Sequence, residues 1–310
     1  MFDTNIKSMF DLLRTFPTEQ SCIDYLENIL WAGTPVSPYD SESKVYKCAN
    51  NQYRCKNSDK LFNVKTKTFL ENTKLPLQKW MLAIWLITSH KKGISSLQLG
   101  RDLNVTQKTA WFMLQRIRAV FVVENFNELG GENEVVEMDE TFVGGKNKNR
   151  HKDKKVAQSQ GRSFKDKTPV FGMLQRNGKL TAIVVADTKG TTLKPLIKKY
   201  VSGGTRIITD EWHAYRGLNS SYDHQCVDHG KKIYVNLEDA SIHSNSIENS
   251  WKQFKTSYNG IYNWMSRKHM QFYVNEFVYR FNMRKHPDSD KFNWMLANGG
   301  VRTKYKDLIQ

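Results

Sequence analysis

The dipeptide Asn177-Gly178 and the runs on either side of it constrain this chain more than any other feature. TPVFGMLQR before it and KLTAIVVAD after it are apolar and of strand length. Asn-Gly tolerates the positive φ of a two-residue hairpin, so two antiparallel strands are expected. Upstream, NEVVEMD reads as a Val-rich strand that ends on a carboxylate. Downstream, TTLKPLIKKYV reads as a helix and GTRIITD as a strand, and two more helices are expected from Ser244 to about Tyr258 and from about Lys268 to Arg284. The order β, hairpin, α, β, α predicts an α/β layer. No internal repeat is present.

The first half has a different character. Met9, Leu12, Leu13 and Phe16, then Cys22, Tyr25, Leu26 and Ile29, recur at helical spacing around Pro17, predicting two short helices. From Trp31 to Phe69 the pieces VYKC, NQYRC and KLFNV predict a small β module. LPLQKWMLAIWLITSHKKG follows as a helix with Pro76 near its first turn. SSLQLGRDLNV and TQKTAWFMLQRIRAVF then form a helix pair, with Thr106 as N-cap of the second and Gln107, Lys108 and Arg116 available to face outwards. That is also the helix-turn-helix pattern, whose second helix can enter the major groove. The expected organisation is therefore 1–30, N-terminal helices; 31–72, β module; 73–130, helical region; 131–285, α/β domain; and 286–310, a tail.

Charge narrows the function. Of 310 residues, 47 are Lys or Arg and 31 Asp or Glu, a net +16, so a polyanionic partner is expected. The longest apolar run, around Trp80 to Ile87, is far short of a membrane span. The N-terminus has no secretory pattern, so an intracellular protein, in the cytoplasm or at the nucleoid, or in the nucleus of a eukaryote, is expected. Cys22, Cys48, Cys55 and Cys226 form no CxxC pair and suit reduced thiols. Residues 146 to 167 hold nine Lys/Arg against two Asp and predict a basic loop. Its Lys146, Lys148, Arg150, Lys154 and Lys155 are candidate phosphate contacts.

Three acids are placed as metal-assisted phosphoryl-transfer chemistry would want them. Asp139 closes NEVVEMD, Asp210 closes RIITD, and Glu248 lies in the first turn of the helix that begins near Ser244. Convergent carboxylates can hold a hard ion such as Mg²⁺, and two such ions can serve an in-line displacement. Asn245-x-x-Glu248 is equally a capping-box pattern, and spacing alone leaves both roles open. Glu140, next to Asp139, points to the opposite face of the strand and is expected to be structural. Lys255 lies seven residues after Glu248, on the same side of the helix, beside the apolar stripe Ile247, Trp251, Phe254 and Tyr258.

The segments MDETFVGGKNKN, TPVFGMLQRNGK, IITDEWHAY and HSNSIENSWKQFKTSYNGIYNWMSRKHMQFYVNEFVYRFN resemble, in order, the core of insertion-sequence DDE transposases of the Merlin-related (ISXO-like) group. The resemblance covers most of residues 75 to 285. It implies an RNase H-like catalytic domain with Asp139, Asp210 and Glu248 as catalytic metal ligands, two Mg²⁺ or Mn²⁺ ions, and supporting roles for Asn245, His243, His213 and Lys255. Asn245 and Asn249 stand as rivals to Glu248 for the third place. It further implies double-stranded DNA as partner, both terminal inverted repeats and target, with Lys255 also near phosphate, and a homodimer or higher assembly. Members often carry a zinc ribbon before the helix pair. Here the corresponding positions read Ser37-Pro-Tyr-Asp40 and Cys55-Lys-Asn-Ser58, leaving one thiolate. A degenerate zinc-ribbon-like module held by Tyr39, Tyr46, Tyr53, Leu61 and Phe62, without structural zinc, is the expectation. The alternatives are a structure-specific nuclease that cuts without joining, and a domesticated DNA-binding regulator.

Overall fold

The N-terminal helices form where the apolar spacing puts them. α1 (Met9–Thr15) is capped by Ser8 and α2 (Glu19–Trp31) by Thr18, whose side chain accepts the Ser21 N–H. The computed structural model describes residues 6–144, 151–157, 163, 166–227 and 239–309. Two units divide it, Met1–Val123 with Lys285–Gln310, and Glu124–Arg284. No helix among the described residues is long and apolar enough to cross a membrane.

In the first unit, β1 (Val45–Lys47), β2 (Tyr53–Cys55) and β3 (Leu61–Phe62) make an antiparallel sheet. Its small core is Tyr53, Cys55 and Phe62, with Trp31, Tyr39 and Val45 packed around them. Tyr46 and Leu61, expected to help hold it, are instead exposed, because strand alternation sends their neighbours inward. α3 (Leu77–Ser89) is buried along most of its length. α4 (Ser96–Leu103) and α5 (Gln107–Val120) are joined by a three-residue turn in which Asn104 takes a left-handed conformation and Thr106 caps α5 through the Thr109 N–H. Gly100 lets the turn close, since a Cβ there would press on the Val105 carbonyl.

A short α6 (Val122–Asn125) leads into the second unit, whose sheet begins with β4 (Val135–Val143). β5 (Thr168–Gln175) and β6 (Leu180–Val184) form the expected hairpin. The loop holds three residues rather than two. Gln175 N–H bonds to Lys179 O, and Asn177 supplies the positive φ of 58°. Arg176 N–H bonds the Val135 carbonyl of β4 at 2.9 Å, one step beyond the Val136–Gln175 pair. α7 (Gly190–Tyr200), β7 (Arg206–Asp210), β8 (Asp223–Val227), α8 (Asn245–Ser257) and α9 (Met270–Asn282) follow. The sheet order is β6-β5-β4-β7-β8, antiparallel up to β4 and parallel from β4 to β8.

Alternation along β4 assigns its two faces. Val136 and Met138 pack with Phe171, Met173 and Ile207 against Leu193 and Ile197 of α7. Val143 packs with Val170 and Leu174 against Ile247, Trp251 and Phe254 of α8 and Val274 and Phe277 of α9. Glu137, Asp139 and Thr141 therefore share the α8 face. Gly172, the register partner of Asp139, lies against α8, and a Cβ on it would collide with the Trp251 ring. Gly172→Ala should thus cost about 1–3 kcal/mol, read as a lowered urea midpoint with an unchanged slope. An unchanged midpoint would mean that this close approach is not required.

The chain ends with α10 (Asp288–Ala297) and α11 (Tyr305–Ile309), both in the first unit. Residues 286–310 are thus largely helical, with Phe292 packed against Phe16, Tyr25 and Trp85.

Candidate functional site

Two of the three acids are placed by strand register. β4 and β7 run parallel with Val135 opposite Arg206 and Glu137 opposite Ile208, an offset of 71 residues. The same offset relates Asp139 to Asp210, so the two acids stand at one level on neighbouring strands, just past the last bonded pair. Carboxyl ends of adjacent parallel strands that have parted are where open α/β sheets form their crevices. Asp210 Oδ1 accepts the Trp212 N–H at 3.1 Å, which turns the chain away after the strand.

The third acid arrives on α8. Ser244, not Asn245, is the N-cap, and Glu248 Oε1 accepts the Ser244 hydroxyl at 2.9 Å. The capping-box role is not adopted. Asn245 and Asn249 are exposed, whereas Glu248 is half-buried. The Asp139 carboxyl is pushed up to about 8 by burial first and then by the negative charges of Glu140, Asp210 and Glu248. The three predicted acids thus fall within electrostatic reach of one another. Lys255, exposed at the surface but partly covered by its neighbours, is drawn below its ordinary value by that partial burial first, with Asp139 favouring its charge and Lys167 opposing it. Three carboxylates are a hard-oxygen set of the kind Mg²⁺ takes, and their repulsion is what a divalent cation would relieve. In donor chemistry the residues fit such an ion. Closed coordination is another matter, since among the described residues no three His, Cys, Asp or Glu side chains form a group that could hold a metal.

One residue of the site escaped the sequence reading. Glu137 is wholly buried beneath the start of α8. Its Oε2 accepts the N–H groups of Ser246 and Ile247 at 2.9 and 3.0 Å, and its Oε1 accepts the Ser246 hydroxyl at 3.0 Å and Arg176 Nε at 2.7 Å. The first turn of a helix presents unpaired donors and a partial positive charge, so a carboxylate there is doubly favoured. Arg176 also donates to the carbonyls of Ser241 and His243 at 2.5 and 2.7 Å, and its Nη2 lies 3.1 Å from His243 Nδ1. His243 is therefore part of the support beneath α8. His213 is exposed and stacks on Trp212 at 4.5 Å between ring centres. Glu140 faces the other side of the sheet and accepts the Tyr215 hydroxyl, as its strand position predicts.

In the first unit Gln107 and Lys108 are exposed at the start of α5, Gln107 donating to Ser96 Oγ at 2.9 Å and Lys108 lying 5.3 Å from the Tyr305 ring centre. Arg116 does not face outwards. It is 6% exposed, donates to the Glu71 carbonyl, and lies over the Trp80 and Phe112 rings. Its long apolar stem suits the core side of α5, and the buried guanidinium finds its partner in a backbone carbonyl. Lys155 is exposed. Lys146, Lys148 and Arg150 lie outside the described residues, as does the Lys154 side chain. All four cysteines are free. The buried Cys55 thiol is held down at about 6 by the hydroxyls of Ser37, Ser43 and Ser58. One sulfur ringed by hydroxyls is a poor donor set for Zn²⁺.

Residues 128–282, half the chain, match the ISXO2-like transposase domain. The chain belongs to that transposase family. An uncharacterized protein in transposable element ISH50 of Halobacterium salinarum is 28% identical over 251 residues, which cover 76% of this chain and 82% of that protein. The crystal structure of a pre-cleavage Mos1 transpososome is 10% identical, covering 94% of this chain and 97% of its own, but its TM-score of 0.19 is too low to speak to the fold. The transposase domain contains Asp139, Asp210 and Glu248, and also the Glu137–Arg176 pair that supports α8.

Proposed function

We propose that this chain is a DNA transposase that binds the terminal inverted repeats of its element, cleaves phosphodiester bonds at the element ends, and joins the 3′-OH ends to target DNA. The observation that carries the reading is that Asp139 and Asp210 stand at one level on neighbouring parallel strands with Glu248 within electrostatic reach, the Asp139 carboxyl being raised by burial first and then by the charges of Glu140, Asp210 and Glu248. The sheet order, with three antiparallel strands followed by two parallel to the first of them, supports reading the second unit as an RNase H-like domain.

In this reading Asp139, Asp210 and Glu248 would hold divalent cations, Mg²⁺ or Mn²⁺. When bound, such ions activate an attacking oxygen and stabilise a leaving one. Lys255 stands on the same side of α8 and meets a phosphate oxygen, and the Glu137, Arg176 and His243 cluster fixes where α8 begins. His213 and Asn245 serve as exposed supporting contacts. The α4–α5 pair acts as a helix-turn-helix, with Gln107 and Lys108 presented to DNA. Lys155 and the basic segment around it grip the phosphate backbone, and the small sheet is a zinc-ribbon-like module that works without zinc. Because two ends meet one target, the working species is a dimer or larger assembly on DNA.

The test mixes the protein, Mg²⁺, labelled DNA carrying the repeats that flank the gene, and a plasmid. Joined products are expected. Nicks without joining would replace the reading by a nuclease, and binding with neither would leave a DNA-binding regulator. Binding should also weaken steeply with salt, because phosphate contacts release counterions. A log–log slope near zero would overturn the extensive phosphate grip.

A further inference from the structure

Trp264 is 65% exposed, the most exposed large apolar side chain among the described residues. An indole left in water is an unusual surface feature, and here its backbone is pinned. Asn263 takes a φ of 55° and donates to Tyr258 O at 2.7 Å, and Trp264 N–H donates to Tyr262 O at 2.6 Å. The next residue, Met265, is 3% exposed and belongs to the core that contains Val143 and Val170. A flat, exposed ring on a pinned backbone binds a flat partner with less loss of conformational freedom than one on a free loop.

The charge around it selects the partner. Between Glu248 and Glu276 the chain has no Asp or Glu, while Lys252, Lys255, Arg267 and Lys268 fall inside that stretch, all of them exposed. Arg267 Nη2 reaches to 3.5 Å from the Lys167 carbonyl, and Lys167 in turn acts electrostatically on Lys255. An exposed aromatic ring in a segment rich in exposed cations and without acids of its own is the combination that single-stranded nucleic acid recognises: phosphates on the charges, a base on the ring. The loop also follows directly on the helix that carries Glu248. That helix continues through Tyr262, fourteen residues further on, roughly 20 Å along a helix axis. That is a span of a few nucleotides.

Resting on the reading of this site as a transposase centre, we propose that Trp264 stacks on an unpaired DNA base a few nucleotides from the phosphodiester that is cut. Bases within an intact duplex have both faces covered by their neighbours. The partner is therefore a base freed from pairing, or one exposed at a duplex end.

The full-length protein is titrated with a fluorescent forked duplex, with unpaired nucleotides at one end, and with the same duplex blunt. Wild type should prefer the fork. Trp264→Ala should lose about 5- to 100-fold on the fork and less than about twofold on the blunt duplex, where phosphate contacts dominate. Trp264→Phe should retain most of the preference. Replacing the unpaired nucleotides one at a time by an abasic analogue should reveal a position at which wild type and Trp264→Ala bind alike. Equal losses on both DNAs, or none, overturn the stacking. A DNA-free wild type that sediments as a dimer, with Trp264→Ala monomeric and its fork binding intact, overturns it in favour of a second copy of this chain. Should wild type bind neither DNA, the transposase reading fails. If it binds and cuts while Trp264→Ala matches it throughout, only the stacking fails.

Discussion

Asp139→Asn is expected to abolish strand cleavage, by about 10³-fold or more, and at the same time to make the metal-free protein more stable. Both effects come from one carboxyl. In the unfolded chain it titrates near 3.8, and in the folded protein burial and three neighbouring acids bring it to about 8. Between these values the folded state keeps a proton that the unfolded state has released. Stability therefore falls as pH rises through that window and levels off above it. Asparagine has the same shape and never ionises. Its advantage should be absent at pH 4 and reach about 3–8 °C in Tm at pH 8 and above, measured in EDTA. Mg²⁺ should then raise the Tm of wild type more than that of the variant, since binding to the folded state alone stabilises it. A Tm difference that is the same at pH 4 and pH 8 would show that Asp139 feels no such crowding. Cleavage that survives the substitution would remove it from the chemistry.

The sequence discloses the frame of this site because strand alternation and helix caps are local. The Val-rich run ending in Asp139, the hairpin signal at Asn177-Gly178 and the apolar stripe of α8 each write their element within a dozen residues. Strand β8, Asp223–Val227, has only Cys226 and Val227 as apolar residues among Asp, His and Gln, and so carries little periodicity to find. Arg116 was legible as a cation on a helix, but which way it points depends on Trp80 and Glu71, residues of other segments. Glu137 is the instructive case. Its place in VVEMD fixes its face, the same as that of Asp139. Its partners lie 39 residues away at Arg176 and 109 and 110 away at Ser246 and Ile247, so only the fold brings them together.

Replacing Glu137 tests whether that buried cluster positions the third acid or only holds the domain together. Glu137→Ala leaves the Nε–H of Arg176, whose side chain is 18% exposed, and two helix N–H groups without their carboxylate acceptor. Removing one partner of such a pair costs about 3–5 kcal/mol, so the variant should melt far below wild type. Glu137→Gln keeps the volume and one acceptor oxygen, and should cost about 1–3 kcal/mol. The decisive measurement uses the glutamine variant at a temperature where it is folded. α8 is capped through Ser246 and Ile247, within the same turn as Glu248, so a loosened first turn moves the Glu248 carboxylate relative to Asp139 and Asp210, which stand on rigid strands. The expected result is a cleavage rate lowered about 10- to 100-fold, with the Mg²⁺ concentration for half-maximal activity raised and binding of end DNA unchanged. A purely structural role would lower stability and leave the Mg²⁺ requirement of the folded variant at its wild-type value. The same argument explains why a charged residue is tolerated in a fully buried position. An apolar side chain at 137 would fill the space and leave the start of the helix that carries Glu248 without an anchor on the strand that carries Asp139.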